Sequence, residues 1–286
     1  MADVAVITDS TASLPPDRVA RAGLRVVPLQ VVIDGRSRPE GSPGATPDAV
    51  AAAIGSGARM STSRPSIDEF SACYRAAAEG GATAAVVLSM SSRMSGTCDA
   101  ARVAARTAPI PVRVVDSTTL AMALGFAALT AAEAARDGAG PDEVAAVGLG
   151  RTTAAETCFV VDDLEHLRRG GRIGAAAALL GSALAVKPLL TVRQGEIGSL
   201  ERVRTAGRAR VRLEELALAA LRRGFAAGPR VGLAVHYVDD PAPAEELAFR
   251  LQRQAEGPVD LVVGPVSAVL GVHTGPRTLG VVVSPE

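Results

Sequence analysis

Three segments carry residue types that could do chemistry together. The first is LSMSSRMSGTCDAA, Leu88 to Ala101: an apolar run from Ala84 to Leu88 enters a turn holding Ser89, Ser91, Ser92, Ser95, Gly96 and Thr97, and an alanine-rich stretch comes next. A helix N-terminus has unpaired N–H groups and a partial positive charge. A glycine such as Gly96 lets a ligand approach the backbone, and the hydroxyls of Ser92 and Ser95 add neutral donors. Such a site holds a carboxylate or phosphate without a cationic side chain; simple helix capping by Ser92 or Ser95 is the alternative. The second segment, Met60 to Ser66, has the same character, with Thr62 and Ser63 at a strand-to-helix junction. In one parallel sheet both junctions would lie at the carboxyl edge, where ligands of open α/β sheets bind. Thr62, Ser63 and Ser95 would then converge on one anion. The third is GVHTGPRTLG, which places His273 near the end of an apolar strand, in a turn shaped by Thr274, Gly275 and Pro276. A ligand-facing imidazole and a satisfied structural histidine both fit it.

Other chemistries find less support. No G-x-x-x-x-G-K-[ST] segment occurs, GLGRTTA lacks the third glycine of a dinucleotide fingerprint, and no His/Cys/Asp cluster has metal-ligand spacing. No cofactor is expected. Ser95 or Cys98 with His273 would make a nucleophile–base pair for acyl hydrolysis or transfer, but no G-x-S-x-G elbow is present and no third residue orients the pair. A phosphotransfer subunit for a small polyol or keto-sugar would need a short polar pocket. Arg168 to Ile173, with Arg172, forms a basic turn between two helical stretches. Arg202, Arg204, Arg208, Arg210 and Arg212 form a second basic cluster. Both suit a solvated face or an acidic or phosphorylated partner. His236 reads as core or edge of a strand, and His166 as a solvated helix residue.

The elements that must position these residues come from a chain of 286 residues that is 48% hydrophobic and 2% aromatic, so the core is aliphatic. The formal net charge is zero and rings are scarce, which argues against nucleic acid. Lys187 is the only lysine, as in a chain where arginine has replaced lysine generally. Cys73, Cys98 and Cys158 form no CxxC pair, which suggests reduced thiols and a cytoplasmic setting. The start, MADVAVITDS, has neither a basic region nor a long apolar run, so no signal peptide is indicated. VAVIT, LRVVPLQVVI, AAVVL and VRVVD read as strands. Thr46-Pro47 and Ser66-Ile67-Asp68-Glu69 open helices, and further helices are expected near 96–106 and 119–136. This alternation predicts an N-terminal three-layer α/β domain, residues 1–155, with a mainly parallel sheet. LLTVRQGEIGSLERV reads as a hairpin at Gln194-Gly195; with VGLAVHYV, VDLVV, LGVVV and two helices it predicts a C-terminal α+β domain, residues 156–286.

Taken in order, ITDSTASLP, TSRPS, SSRMSGTCDAA, VVDS, DDLEHLRRGGRI, VKPLL, RVRT and HTGP resemble the DegV family of bacterial fatty-acid-binding proteins over essentially the whole chain. The resemblance implies two domains with a long-chain fatty acid between them, its carboxylate gripped by Thr62 and Ser95 with His273 near the head group. It further implies a lipid-presenting subunit rather than an enzyme. A separate ATP-binding fatty acid kinase would phosphorylate the carboxylate, Arg204 would help hold the phosphorylated head group, and the Arg172 turn would contact the kinase. Transient membrane contact is left open. Arg64, Arg277 and Cys98 stand where the family pattern has glutamine, glycine and tyrosine. Burying roughly fourteen methylenes gains about 11 kcal/mol gross, much of it offset by lost freedom. With no lysine at the site, a weakly held carboxylate would keep its nucleophilicity.

Overall fold

The structure, a computed structural model, describes residues 3–179 and 186–286. In chain order its elements are β1 (Val4–Asp9), α1 (Pro16–Ala22), β2 (Arg25–Val27), β3 (Gln30–Ile33), β4 (Arg36–Pro39), α2 (Pro47–Ser56), β5 (Met60–Ser63), α3 (Ile67–Glu79), β6 (Ala84–Ser89), α4 (Thr97–Ala105), β7 (Val112–Asp116), α5 (Ala121–Arg136) and α6 (Pro141–Ala154). They continue with β8 (Glu156–Val160), α7 (Glu165–Arg169), β9 (Lys187–Arg193), β10 (Glu196–Val203), α8 (Ala206–Ala227), β11 (Val231–Tyr237), α9 (Ala242–Gln254), β12 (Val259–Pro265), α10 (Ala268–Thr274) and β13 (Leu279–Pro285). Where a helical stretch was expected after the Arg172 turn, a 3-10 segment, Gly174–Leu179, forms; residues 180–185 lie outside the described residues.

The apolar runs VAVIT and AAVVL pair at the centre of a wholly parallel sheet, β2-β1-β6-β7. Every residue of β6 is buried, as a strand covered on both faces requires. One face packs Phe70 and Tyr74 of α3 and Ala100, Ala101 and Ala104 of α4 against Ile7, Ala85 and Val87. The other packs Leu124, Ala128 and Ala131 of α5 and Val144 of α6 against Val4, Val6, Val86 and Leu88. The capping box at Ser66 is formed in full, with Glu69 closing back onto it.

From Glu156 onward the strands form a six-stranded mixed sheet, β10-β9-β8-β13-β11-β12. Strand alternation splits its side chains. Cys158, Val160, Leu233, Val235, Val281 and Val283 face α8 and α9, whereas Ala234 and Val282 face Met122, Ala123 and Phe126 of α5. Helix α5 is therefore sandwiched between two sheets, which explains why its apolar residues run all round it. The β9–β10 hairpin turns at Gln194-Gly195, with φ of +50° and +82°, the pair of left-handed residues that a tight two-residue hairpin needs. Beside the two main helices, α7 forms where His166 was expected on a short helix, α10 is an additional helix, and β11–α9–β12 is a parallel crossover. Arg18 grips Asp260 with two hydrogen bonds of 2.8 and 2.7 Å and so fastens α1 to β12.

The structure corrects one topological expectation. The Thr62–Ser63 junction does not end a strand of the parallel sheet. β5 belongs to a separate antiparallel sheet, β4-β3-β5, whose β3–β4 hairpin turns at Asp34-Gly35. The two hydroxyl-rich junctions reach one place from different sheets.

Candidate functional site

His273 is carried by a helix, not by the end of a strand. All residues from Ala268 to His273 are buried, so no polar face marks the helical period, and the segment reads as a buried strand in sequence. Three local features make it helical: Ser267 accepts from Leu270 N, the Glu40 carboxylate accepts from Val269 N at 3.1 Å, and Gly275 (φ +78°) ends the helix in a conformation suited to glycine. The helix delivers His273 Nε2 to within 2.7 Å of Thr62 Oγ1. Gly170 packs against the ring's other nitrogen: a Cβ there would sit 2.1 Å from Nδ1, which is buried without a partner. Burial, with the Arg172 and His166 charges adding to it, pulls the His273 pKa down to about 4. The ring is neutral at ordinary pH.

The serine-rich turn is held by Asp9, which in sequence shows only as the end of a strand. Its buried carboxylate accepts from Met90 N (2.8 Å) and Ser89 Oγ (3.1 Å) as well as from Thr11, tying the exit of β6 to the exit of β1. Burial pushes the Asp9 pKa up while these hydrogen bonds pull it down. Ser91 donates to Gly195 O (2.7 Å), which fixes the turn against the β9–β10 hairpin. Ser95 emerges before α4 with its hydroxyl 2.8 Å from Thr97 Oγ1.

Thr62, Ser63, Ser95 and His273 line one cavity, whose non-atom space, open solvent at its mouth included, is about 910 Å³. Its remaining wall is largely aliphatic, and five neighbouring strands of the six-stranded sheet contribute: Ile197, Val192, Phe159, Gly280 and His236. Four strand spacings of about 4.8 Å give a span of roughly 19 Å. A staggered chain of fourteen methylenes is roughly 18 Å long, from C–C bonds of about 1.5 Å.

Several sequence expectations change. Ser92 does not line the cavity: it is exposed, its N–H and hydroxyl both bound to Asp116. Gly96 also stays outside; a Cβ there would lie 3.1 Å from Arg64 Cδ, so its role is to make room for that arginine. The expectation of a site without cationic side chains fails, because Arg64 and Arg172 both line the cavity. Arg172 donates to Met94 O (3.2 Å) and Gly170 O (2.6 Å). Arg204 is elsewhere, exposed in a separate groove with Arg202 and Arg208. Arg277 points away to Asp162, which Lys187 also grips. Its φ of +54° lies in the left-handed region that favours glycine. The nucleophile–base pair is not assembled: His273 bonds Thr62 rather than Ser95, and burial pushes the Cys98 thiol up to about 11. No helix among the described residues is long and apolar enough to cross a membrane, and no metal-binding group of His, Cys, Asp and Glu occurs among them.

His236, the core histidine of the sequence reading, is a wall of the same cavity, with its pKa lowered to about 4 by burial. With His273 it sets a pH dependence. Between pH about 6.5 and 4 the unfolded chain binds protons that both folded rings refuse, so stability is full above that window and is lost as pH falls through it. The limiting contribution is about 3 kcal/mol per ring. Asp162, lowered chiefly by Arg277, and Asp260, lowered chiefly by Arg18, extend the loss below pH about 4, while Asp9 and Glu40, raised by burial, act in the opposite direction. Urea unfolding at pH about 7 and about 4.5 is expected to show the loss, and a smaller loss in His236→Phe. Equal losses in the two proteins would contradict the assignment.

The comparisons with known proteins agree with this geometry. A family model described as "Uncharacterised protein, DegV family" matches residues 3–286. A DegV domain-containing protein of Streptomyces coelicolor is 50% identical over 281 residues, covering 98% of each chain. One from Mycobacterium tuberculosis is 36% identical over 282 residues, covering 98% of this chain and 96% of the relative. Among solved structures, DegV of Bacillus subtilis, described as a fatty acid binding protein, superposes with a TM-score of 0.90 at 29% identity, covering all of both chains. A Thermus thermophilus DegV family protein, described by its fatty acid binding, superposes with a TM-score of 0.87 at 31% identity, again over all of both chains. The chain belongs to the DegV family.

Proposed function

We propose that this protein binds one long-chain fatty acid between an N-terminal domain (1–155) and a C-terminal domain (156–286), and presents its carboxylate to a separate ATP-dependent kinase in the cytoplasm. The observation that carries the reading is a single aliphatic cavity, about as long as such a chain, that holds the Thr62–His273 hydrogen bond and Ser95 in its wall. The fatty acid binding described for the Bacillus subtilis and Thermus thermophilus proteins supports it.

In this reading the Thr62 hydroxyl donates to the carboxylate and accepts from His273 Nε2–H, so the neutral ring orients the donor without adding charge. Ser95 supplies a second hydroxyl. Arg172, anchored on Met94 O and Gly170 O, and Arg64 supply the positive field that a carboxylate needs when it leaves water. The aliphatic wall supplies most of the affinity and the head-group donors set the direction of entry. On the kinase, a carboxylate oxygen attacks the γ-phosphorus of ATP, ADP leaves, and an acyl phosphate forms. The exposed Arg202, Arg204 and Arg208 groove is the candidate docking face for that partner.

Titration with palmitate and with hexadecanol of equal chain length tests the head-group assignment. The acid is expected to bind at least about tenfold more tightly, the yield of one hydrogen bond to a charged group. Equal affinities would remove the carboxylate from the site. Acyl phosphate trapped by hydroxylamine, formed only when loaded protein, kinase and ATP are together, tests the presentation step.

A further inference from the structure

The cavity has a second polar point, away from the head group. His236 is 4% exposed, it lines the cavity, and its Nε2 is buried with no hydrogen-bond partner. An unpaired buried polar atom costs about 1–3 kcal/mol, so a wall meant only for methylenes would be expected to carry an aliphatic residue here. The neighbourhood is open on one side only: a Cβ at Gly280 would sit 3.3 Å from Phe159 Cβ. On the adjoining strands the residues in register with His236 are Gly264 and Gly280, and a Cβ at Gly264 would meet nothing within 4 Å.

The protonation of the ring is set by its other contact. Nδ1 lies 3.2 Å from the carbonyl oxygen of Gly264. A carbonyl only accepts, so Nδ1 carries the proton and Nε2 presents a lone pair. Burial keeps the ring neutral. The free atom is therefore an acceptor, and its partner must be a donor. Ketone, epoxide and ester oxygens do not qualify, whereas a hydroxyl does.

The position is fixed coarsely by the fold. Val266, whose N–H bonds Tyr237 O at 2.8 Å, lies beside His236 just before the first turn of α10, while His273 is on the last turn. Seven helical residues span roughly 10 Å. At roughly 1.25 Å per methylene, from C–C bonds of about 1.5 Å, this is about eight methylenes from the head-group histidine, the middle of an acid of sixteen to eighteen carbons. We propose that the cavity recognises an acyl chain bearing a mid-chain hydroxyl, which donates a hydrogen bond to His236 Nε2. The proposal rests on the fatty-acid reading and narrows its substrate class to include hydroxylated acids.

The test compares stearate, 3-hydroxystearate, 12-hydroxystearate and 12-oxostearate by displacement of a fluorescent fatty acid, in the full chain and in His236→Phe. In the unaltered protein the mid-chain hydroxy acid is expected to bind about tenfold more tightly than the oxo acid, and the 3-hydroxy acid to gain nothing over stearate. In His236→Phe the hydroxy-to-oxo preference is expected to fall to about twofold or less. The hydroxy-to-oxo ratio in the unaltered protein needs no variant, so a misfolded His236→Phe leaves the proposal falsifiable. Tight stearate binding with no hydroxy-to-oxo preference, or the same preference in both proteins, would overturn it while leaving fatty-acid binding intact. Failure to bind stearate at all would overturn both.

Discussion

Thr62→Val keeps the shape of the side chain and removes its hydroxyl, and is expected to weaken fatty-acid binding by about ten- to a hundredfold. Two losses combine. The carboxylate loses a charge-assisted hydrogen bond, worth about 1.5–3 kcal/mol, and His273 Nε2 loses its partner at 2.7 Å. The second loss also acts on the empty protein, whose stability is expected to fall by about 1–3 kcal/mol. Titration calorimetry with palmitate reads the first effect and urea unfolding reads the second. Ser95→Ala is expected to do less to binding, because the Ser95 hydroxyl already has Thr97 Oγ1 at 2.8 Å as a partner. Unchanged affinity in both variants would remove these residues from the head-group site.

Arg151→Leu has the largest expected effect on stability. The Arg151 side chain is 8% exposed. Its guanidinium donates to Ser284 Oγ at 3.1 Å, to Thr130 Oγ1 and to Ser284 O, pairs with Glu286 at 3.2 Å, and stacks over the Phe126 ring at 5.2 Å. It joins α6 to α5 and to the last strand, across the layer that separates the two sheets. Glu286 is exposed and keeps Arg230 at 2.9 Å, so the cost lies in the hydrogen bonds from a charged donor to Ser284 and Thr130, together about 3–5 kcal/mol, which corresponds to a melting temperature lower by roughly 10 °C in a protein of this size. Arg151 does not line the cavity, so a correctly folded variant at low temperature is expected to bind palmitate with near-normal affinity. A melting temperature within a degree or two of the unaltered protein would show that the network contributes little. A double-mutant cycle with Glu286→Gln measures the pair directly.

Much of the fold was legible because its signals are local. The apolar runs of β1 and β6, the capping box at Ser66, the Thr46 cap of α2 and the Gln194-Gly195 turn each depend on residues within a few positions. What escaped was tertiary. Helix α10 is buried on every side, so no polar stripe revealed its period, and its first turn is capped by Glu40, more than two hundred residues away. The sheet to which β5 belongs is decided by pairing with β3, and the short exposed strand MSTS carries no mark of that choice. At the site, hydroxyl-rich junctions and the resemblance to the DegV pattern together pointed to Thr62, Ser95 and His273, which line one cavity. Residue type could not separate Ser95, which lines the cavity, from Ser92, which turns out to Asp116. Asp9 and His236 were missed as site residues because their roles depend on strands brought together from distant parts of the chain. The left-handed backbone at Arg277 explains in retrospect why a glycine suits that position better.

Native mass spectrometry of the protein purified directly from cells tests the central claim most simply. The account predicts a single added mass equal to one long-chain fatty acid, released when the protein is unfolded and much reduced in Thr62→Val. An empty unaltered protein that takes up no palmitate on incubation would contradict it.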